Sequence, residues 1–409
     1  MLGMRAKEDV LIIGAGPAGI ASAYALEKVG ISYKVVDRAK MIGSTWKRLY
    51  PSLKLNTTRF FSHMPGKRFP LHYGFYPKGR QYHDYLLEYV AEHDFNIHLG
   101  IDVYRVAPEG NLWRVESSDG TCLYPTVISA TGIWNNPVMP DIAGIHDFKG
   151  MMIHAHDFRD AKQVVGQRVL VVGNGPSGID IAVASGETAQ STHIAIRSGV
   201  TMVRRFPLGM PKHFWLMLGE LLPGDGCERL LKFISKFSKY GDTSSIGLFP
   251  PPPGAGGMTA YQGAELINAV KAGIVTPING APLQFHEQTV DFADGSTHEF
   301  DTVVMATGYI PVLHQYLDID MQYSTELWQP TSACDWRIGP NGQRGWPLRD
   351  TSEHPNGRQI LDHRGLYLVG VFYKGKGAMY NFNVEAQIAA QQIQVYLEQL
   401  LTTKQPSHE

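Results

Sequence analysis

Short unbroken apolar runs that end in glycine recur along this chain. Val10-Leu11-Ile12-Ile13 leads into Gly14-Ala15-Gly16-Pro17-Ala18-Gly19, and residues 20–29 then carry helical spacing. Val169-Leu170-Val171-Val172 leads in the same way into Gly173-Asn174-Gly175-Pro176-Ser177-Gly178, with a helix predicted from Ile179. Such runs mark strands buried on both faces, and strand, glycine turn and helix together make a βα unit. Two more buried-strand runs end in Ala-Thr-Gly, at residues 127–132 and 303–308, one after each glycine loop. A fifth run, residues 365–370, precedes a glycine turn at Gly375 and Gly377 and a helix through Asn383. Residues 112–115 and 289–292 alternate in polarity ahead of Asp119-Gly120 and Asp294-Gly295, which predicts β-hairpins.

With 43 glycines, composition alone gives about 0.5 matches to G-x-G-x-x-G, so context must decide. Here each match follows a strand and opens a helix, the setting in which a pyrophosphate approaches the backbone and faces a helix N-terminus. Gly14, Gly16 and Gly19 form the first such cradle, and Gly173, Gly175, Ser177 and Gly178 the second. The strand after the first loop ends at Asp37, where a carboxylate can accept from a ribose hydroxyl. The matching strand after the second loop ends at Arg197-Ser198, with Arg204 and Arg205 close behind. Guanidinium suits a 2'-phosphate, so this half is expected to prefer NADPH over NADH. Thr131 and the pair Thr307-Gly308 let the backbone run close to a nucleotide.

The fold expected is α/β, with two nested Rossmann-like dinucleotide-binding domains, small β-hairpin insertions and a helical insertion. Residues 1–159 form the first part of an FAD domain, residues 160–312 an NADPH domain with the insertion at about 206–258, and residues 313–409 the rest of the FAD domain. The insertion carries a helix-period stretch at Leu230, Phe233, Ile234 and Phe237 among Arg229, Lys232, Lys236 and Lys239. It reads as a packed subdomain, with a substrate lid or peripheral membrane contact as alternatives.

Composition narrows the function. A net charge of -1 gives no footprint for nucleic acid, so partners belong to local sites. Cys122, Cys227 and Cys334 are few and far apart, the N-terminus lacks a signal-peptide run, and no stretch is long enough to span a membrane. A cytoplasmic protein is expected, with no C-x-x-C to support a disulfide reductase. His154 and His156 lack a completing cluster, so no metal is expected. Oligomeric state, a dimer included, stays open.

The junction stretch Phe148-Lys149-Gly150-Met151-Met152-Ile153-His154-Ala155-His156-Asp157-Phe158 is the most specific signal. From this chain's composition, F-x-G-x-x-x-H followed four residues later by an aromatic arises about 0.007 times by chance. Here the chain resembles the class B flavoprotein monooxygenases, at Phe148, Gly150, His154 and Phe158. Phe158 stands where the flavin-containing monooxygenases carry Tyr or Phe and Baeyer-Villiger enzymes carry Trp. Gly43-Ser44-Thr45-Trp46 and Tyr50-Pro51-Ser52-Leu53-Lys54-Leu55-Asn56-Thr57 are similar to the segment of flavin-containing monooxygenases that lies against the flavin, with Asn56 at their active-site asparagine. Length and central insertion are closer to the YUCCA-type branch.

The resemblance implies an NADPH- and O2-dependent enzyme that forms a C4a-(hydro)peroxyflavin and oxygenates a soft nitrogen or sulfur of a small organic substrate. It places Trp46 at the cofactor and gives Asn56 and His154 catalytic or junction roles, while the N-terminus of the helix through Asn383 can by its dipole face the electron-rich side of the flavin ring. The alternatives are a Baeyer-Villiger enzyme acting on ketones, a YUCCA-like decarboxylase of an aryl 2-oxo acid, and a non-catalytic redox sensor. Aromatics around Phe60, Phe61, Tyr73, Phe75 and Tyr76, and around Trp215, Phe372, Tyr373, Tyr380 and Phe382, are candidates for an apolar pocket.

Overall fold

The computed structural model describes residues 4–252, 261–311, 313–324, 346–352, 357–371 and 377–402. Two parallel-type sheets form its framework. The first runs Gln359–Ile360, His363–Leu368, Thr126–Ser129, Val10–Ile13, Tyr33–Asp37, Ile97–Leu99 in spatial order. Val10–Ile13 and Thr126–Ser129 are buried throughout, as their unbroken apolar runs require. The helices Pro17–Lys28 and Ala378–Thr402 pack against each other over this sheet, with Ile20, Leu26, Phe382, Ala386 and Ile393 in a shared core. The return of the chain to the first domain is therefore made by His363–Leu368, which pairs in parallel with Thr126–Ser129.

The second sheet runs Thr276–Ile278, Ser191–Ala195, Arg168–Val172, Thr302–Met305, Met151–His154. Its last strand corrects the domain boundary expected at residue 159. Met151–His154 pairs in parallel with Thr302–Met305, in register from Met151 opposite Thr302 to His154 opposite Met305. Phe148 lies in the core of the same domain, and a bridge joins Ala143 to Gln284. The physical reason is spacing at Gly150: a Cβ there would sit 2.4 Å from the Asp301 carbonyl oxygen and 2.6 Å from the Phe148 ring. Phe and Gly of the fingerprint thus seat an edge strand on the second sheet.

Leu112–Ser117 with Gly120–Tyr124, and Thr289–Phe292 with Thr297–Glu299, form the expected antiparallel hairpins. The insertion folds as a helical hairpin, Lys212–Glu220 and Gly226–Ser238, where Gly219 packs on Cys227. Ile234 and Ser238 are its buried positions on the second helix, while Phe233 and Phe237 are exposed. Among the described residues no helix is long and apolar enough to cross a membrane.

Candidate active site

The two glycine loops share one construction. Gly14 has φ +114°, and a Cβ on it would lie 2.5 Å from the carbonyl oxygen of Ala130, while a Cβ on Gly19 would lie 1.8 Å from that of Gly14. In the second loop Gly173 has φ +107° and stands 2.6 Å from the Ala306 oxygen, and Gly178 stands 1.9 Å from the Gly173 oxygen on the same measure. The strand ends before Thr131 and Thr307 therefore wall the two loops. A Cβ on Gly16 or Gly175 would instead meet nothing within 4 Å. Each of these middle glycines is the N-cap of a helix, Pro17–Lys28 or Pro176–Gly186, whose first backbone N–H groups face that space. The shape and the dipole suit a pyrophosphate, so the residues present fit one dinucleotide at each loop.

Asp37 braces the first loop by accepting from the backbone N–H of Ala15 at 2.7 Å and of Ala39 at 2.8 Å. A carboxylate has lone pairs left over for a ribose hydroxyl. In the second domain Arg197 is exposed just beyond Ser191–Ala195, with Ser198 half-buried next to it, and Asn174 of the loop donates to the Gly199 carbonyl at 2.7 Å. Arg204, expected near Arg197, lies over the Tyr240 ring at 4.9 Å with its backbone N–H on the Ser238 carbonyl. It belongs to the base of the helical insertion. Arg205 is ion-paired with Glu265.

The segment following the first loop is tied to the Ala-Thr-Gly turn. Thr45 donates to Asn135 Oδ1 at 2.5 Å, and Asn135 Nδ2 donates to the Thr131 carbonyl at 2.6 Å. Trp46 packs on Tyr82 with ring centres 4.3 Å apart. Thr307 ties its turn to the segment at Val138 by donating to the Val138 carbonyl at 2.5 Å, and the Gly308 carbonyl accepts from the Val138 N–H.

Asn56 follows buried Leu55, whose N–H donates to the Pro77 carbonyl at 2.9 Å, and is itself exposed. Thr57 packs so closely on Gly377, ahead of Ala378–Thr402, that a Cβ there would lie 2.1 Å from the threonine methyl. Asn56 is thus held near the start of the C-terminal helix. Asn383, expected at the flavin, donates instead to the His63 carbonyl at 2.8 Å and fastens that helix to the same segment. Phe60, Phe75 and Phe206, each more than 40% exposed, form an aromatic shelf here with Phe214, with ring centres between 5.2 and 6.3 Å apart. Phe61 lies beneath, against His213 and Tyr380. Phe372, Tyr373 and Gly375 lie outside the described residues.

His154 is 4% exposed at the end of its strand, edge-on to Tyr309 at 5.1 Å. Its Nδ1 accepts from the His156 N–H at 3.0 Å, which leaves the proton of the neutral ring on Nε2. Burial, reinforced by His156, pushes its pKa down to about 4. The ring so enclosed lies between Met305, its partner across the strands, and Tyr309. His156 pairs with Asp157.

Asp180 and Tyr261 escaped the sequence reading, and Tyr50 entered it only as the start of the flavin-side segment. Tyr50, 4% exposed, donates to Asp180 Oδ2 at 3.1 Å, and Tyr261 donates to Asp180 Oδ1 at 2.7 Å. Burial raises the Asp180 carboxyl to about 6, against the pull of the two phenols. Partners separated by 130 and 81 positions leave no local signal.

Residues 11–205 match the family model described as pyridine nucleotide-disulphide oxidoreductase. Probable indole-3-pyruvate monooxygenase YUCCA9 of Arabidopsis thaliana is 33% identical over 73% of this chain and 74% of its own length. Indole-3-pyruvate monooxygenase YUCCA6 of the same plant is 30% identical over 82% of each. The chain belongs to the class B flavoprotein monooxygenases. It is an FAD-containing, NADPH-dependent monooxygenase. Solved structures agree in fold: the flavin-containing monooxygenase from Stenotrophomonas maltophilia has TM-score 0.68 at 23% identity, covering 95% of this chain and 99% of that one. The bacillithiol disulfide reductase Bdr (YpdA) from Staphylococcus aureus has TM-score 0.66 at 16% identity, covering 99% of this chain and 100% of that one. The monooxygenase shares that architecture, while Cys122 and Cys227 are free thiols in separate domains.

Proposed function

We propose that this monooxygenase oxygenates a small, flat, aromatic molecule at a soft nitrogen or sulfur. The observation that carries this reading is the exposed shelf of Phe60, Phe75 and Phe206, which starts in the segment just after Asn56 and whose tilted and edge-on rings favour a planar apolar partner. Gly14, Gly16, Gly19, Asp37, Trp46 and Thr131 hold FAD, and Gly173, Gly175, Ser177, Gly178, Arg197, Ser198, Thr307 and Gly308 hold NADPH. Bound flavin supplies a ring that accepts hydride and reacts with O2. The chain's own part is to bind, orient and exclude water. Asn56 contributes a neutral amide, a hydrogen-bond donor with no acidic proton to release at the reacting centre. Phe158, 1% exposed and edge-on to Tyr50, closes the junction with an aromatic other than Trp, in keeping with heteroatom oxidation over ketone insertion. A cytoplasmic location goes with this reading.

A second reading is oxidative decarboxylation of an aryl 2-oxo acid, and the names of the YUCCA relatives favour it. The test supplies the purified holoenzyme, NADPH and 18O2 with an aryl sulfide, an aryl amine, a cyclic ketone and an aryl 2-oxo acid. One labelled oxygen on sulfur or nitrogen is expected. Release of CO2 from the oxo acid alone would replace the first reading by the second. Ester from the ketone alone would overturn both.

A further inference from the structure

One contact between the two domains that the proposed function leaves unused is the pairing of Tyr50 with Asp180. Tyr50 lies in the chain of the first domain, between the helix Ser44–Arg48 and Asn56. Its side chain is nonetheless buried in the core of the second domain, among Phe158, Ile179 and Ile181. The phenol ends on Asp180 and lies beside the Ser177 hydroxyl, both in the helix that opens at Gly175. The remaining carboxylate oxygen is taken by Tyr261, which is entirely within the second domain. A second tie runs parallel: Tyr76 donates to the Arg205 carbonyl at 3.1 Å, and Arg205 is paired with Glu265.

From this geometry we infer that Asp180 is a positioning residue: through Tyr50 it pins the segment carrying Asn56 to the helix of the second glycine loop, and so sets the spacing between the two nucleotide sites. The inference rests on the assignment of those loops to FAD and NADPH. Independently of the cofactors, Tyr50 is one of the few first-domain side chains among the described residues placed in the second core, so the pin is built of packing as well as of a hydrogen bond. Hydride transfer between two rings held by separate domains is sensitive to displacement of about 1 Å, which can cost about a hundredfold in rate.

The test compares the wild-type holoenzyme with Tyr50→Phe and Tyr261→Phe, both of which keep the ring and its packing. Hydrogen exchange of the peptide covering residues 50–57 and the anaerobic rate of flavin reduction by NADPH and by dithionite are read for each. Tyr50→Phe is expected to raise exchange in that peptide and to slow reduction by NADPH by about tenfold, with dithionite reduction and FAD content unchanged. Tyr261→Phe breaks the other bond to Asp180, and is expected to lower thermal stability while leaving the NADPH rate within about twofold. Asp180→Asn is measured alone and combined with Tyr50→Phe, and the double variant is expected to reduce with NADPH no more slowly than the slower of the two singles, because the Tyr50 contact is common to both, while loss of the Tyr261 bond shows in stability. The proposal is overturned if Tyr50→Phe matches wild type in exchange and NADPH rate, if both phenylalanine variants slow reduction equally, or if the double variant is additive. A wild-type enzyme that NADPH does not reduce would defeat the cofactor assignment instead, and the exchange data would still report on the pin.

Discussion

Adding one methyl group at Gly175 and at Gly178 separates what the second loop does for the fold from what it does for its ligand. A Cβ on Gly178 would lie 1.9 Å from the Gly173 carbonyl oxygen and 3.2 Å from the Ala306 methyl, and backbone on both sides must shift to admit it. Overpacking of this kind costs about 3 kcal/mol or more, so Gly178→Ala should unfold at a markedly lower temperature. A Cβ on Gly175 meets nothing, and φ there is -68°, which alanine adopts without strain. The gain of a few tenths of a kcal/mol from a stiffer unfolded chain is offset by alanine's poorer N-capping, so Gly175→Ala should melt within about 1 kcal/mol of wild type. On the proposed assignment of this loop to NADPH, the open space is where the pyrophosphate comes against the backbone. Losing one charge-assisted hydrogen bond there costs about 1.5–3 kcal/mol, a rise in Kd of about 10- to 150-fold. Titration of the purified FAD-loaded variant with NADP+, followed by flavin absorbance and a thermal melt, reads both effects. Unchanged NADP+ affinity in a folded Gly175→Ala protein, or loss of FAD in place of NADP+, would refute the reasoning.

Asn56→Ala should keep FAD and NADPH reduction but raise the fraction of NADPH oxidised without product, measured as H2O2 released per NADPH. Equal coupling in the two proteins would remove Asn56 from the chemistry. Arg197→Ala should weaken NADPH by about 1–3 kcal/mol and leave NADH unchanged, so the ratio of the two kcat/KM values falls by about fivefold or more. An unchanged ratio would show that another group reads the 2'-phosphate. His154 titrates at about 4 in the folded protein against 6.5 for a free side chain, so the native state binds fewer protons than the unfolded one between these values. Stability should therefore be lost as pH falls from about 6.5 towards 4, by an amount of order 3 kcal/mol, and His154→Gln should flatten this part of the profile in urea melts. A profile identical to wild type would place the dependence elsewhere.

The framework was legible wherever a local rule demanded a particular residue. Gly14, Gly19, Gly173 and Gly178 are forced by backbone a few atoms away, and the apolar runs before them are buried on both faces. Met151–His154 was misassigned because its domain depends on the partner strand Thr302–Met305, which four residues of mixed packing cannot announce. Arg204 and Arg205 are identical in type and adjacent, so no pattern tells them apart. Glu265, 60 positions away, decides that Arg205 is a structural ion pair, while Arg204 falls to the Tyr240 ring. Asn383 had helix-end chemistry in its favour, yet a backbone carbonyl at His63 was nearer to hand.

The place of His363–Leu368 in the first sheet also has a consequence for how this protein is made. Until that strand leaves the ribosome, Thr126–Ser129 is a bare edge of buried-type residues, and more than two hundred residues intervene. At about 5–20 residues per second the edge stays open for roughly 10 to 45 s. The second domain has all five strands in the intervening chain, so it can close on its own while the first waits. An open apolar edge is a template for pairing with another chain, which makes the half-made first domain a client for a chaperone during synthesis. Chains broken off after the second domain would aggregate through this edge.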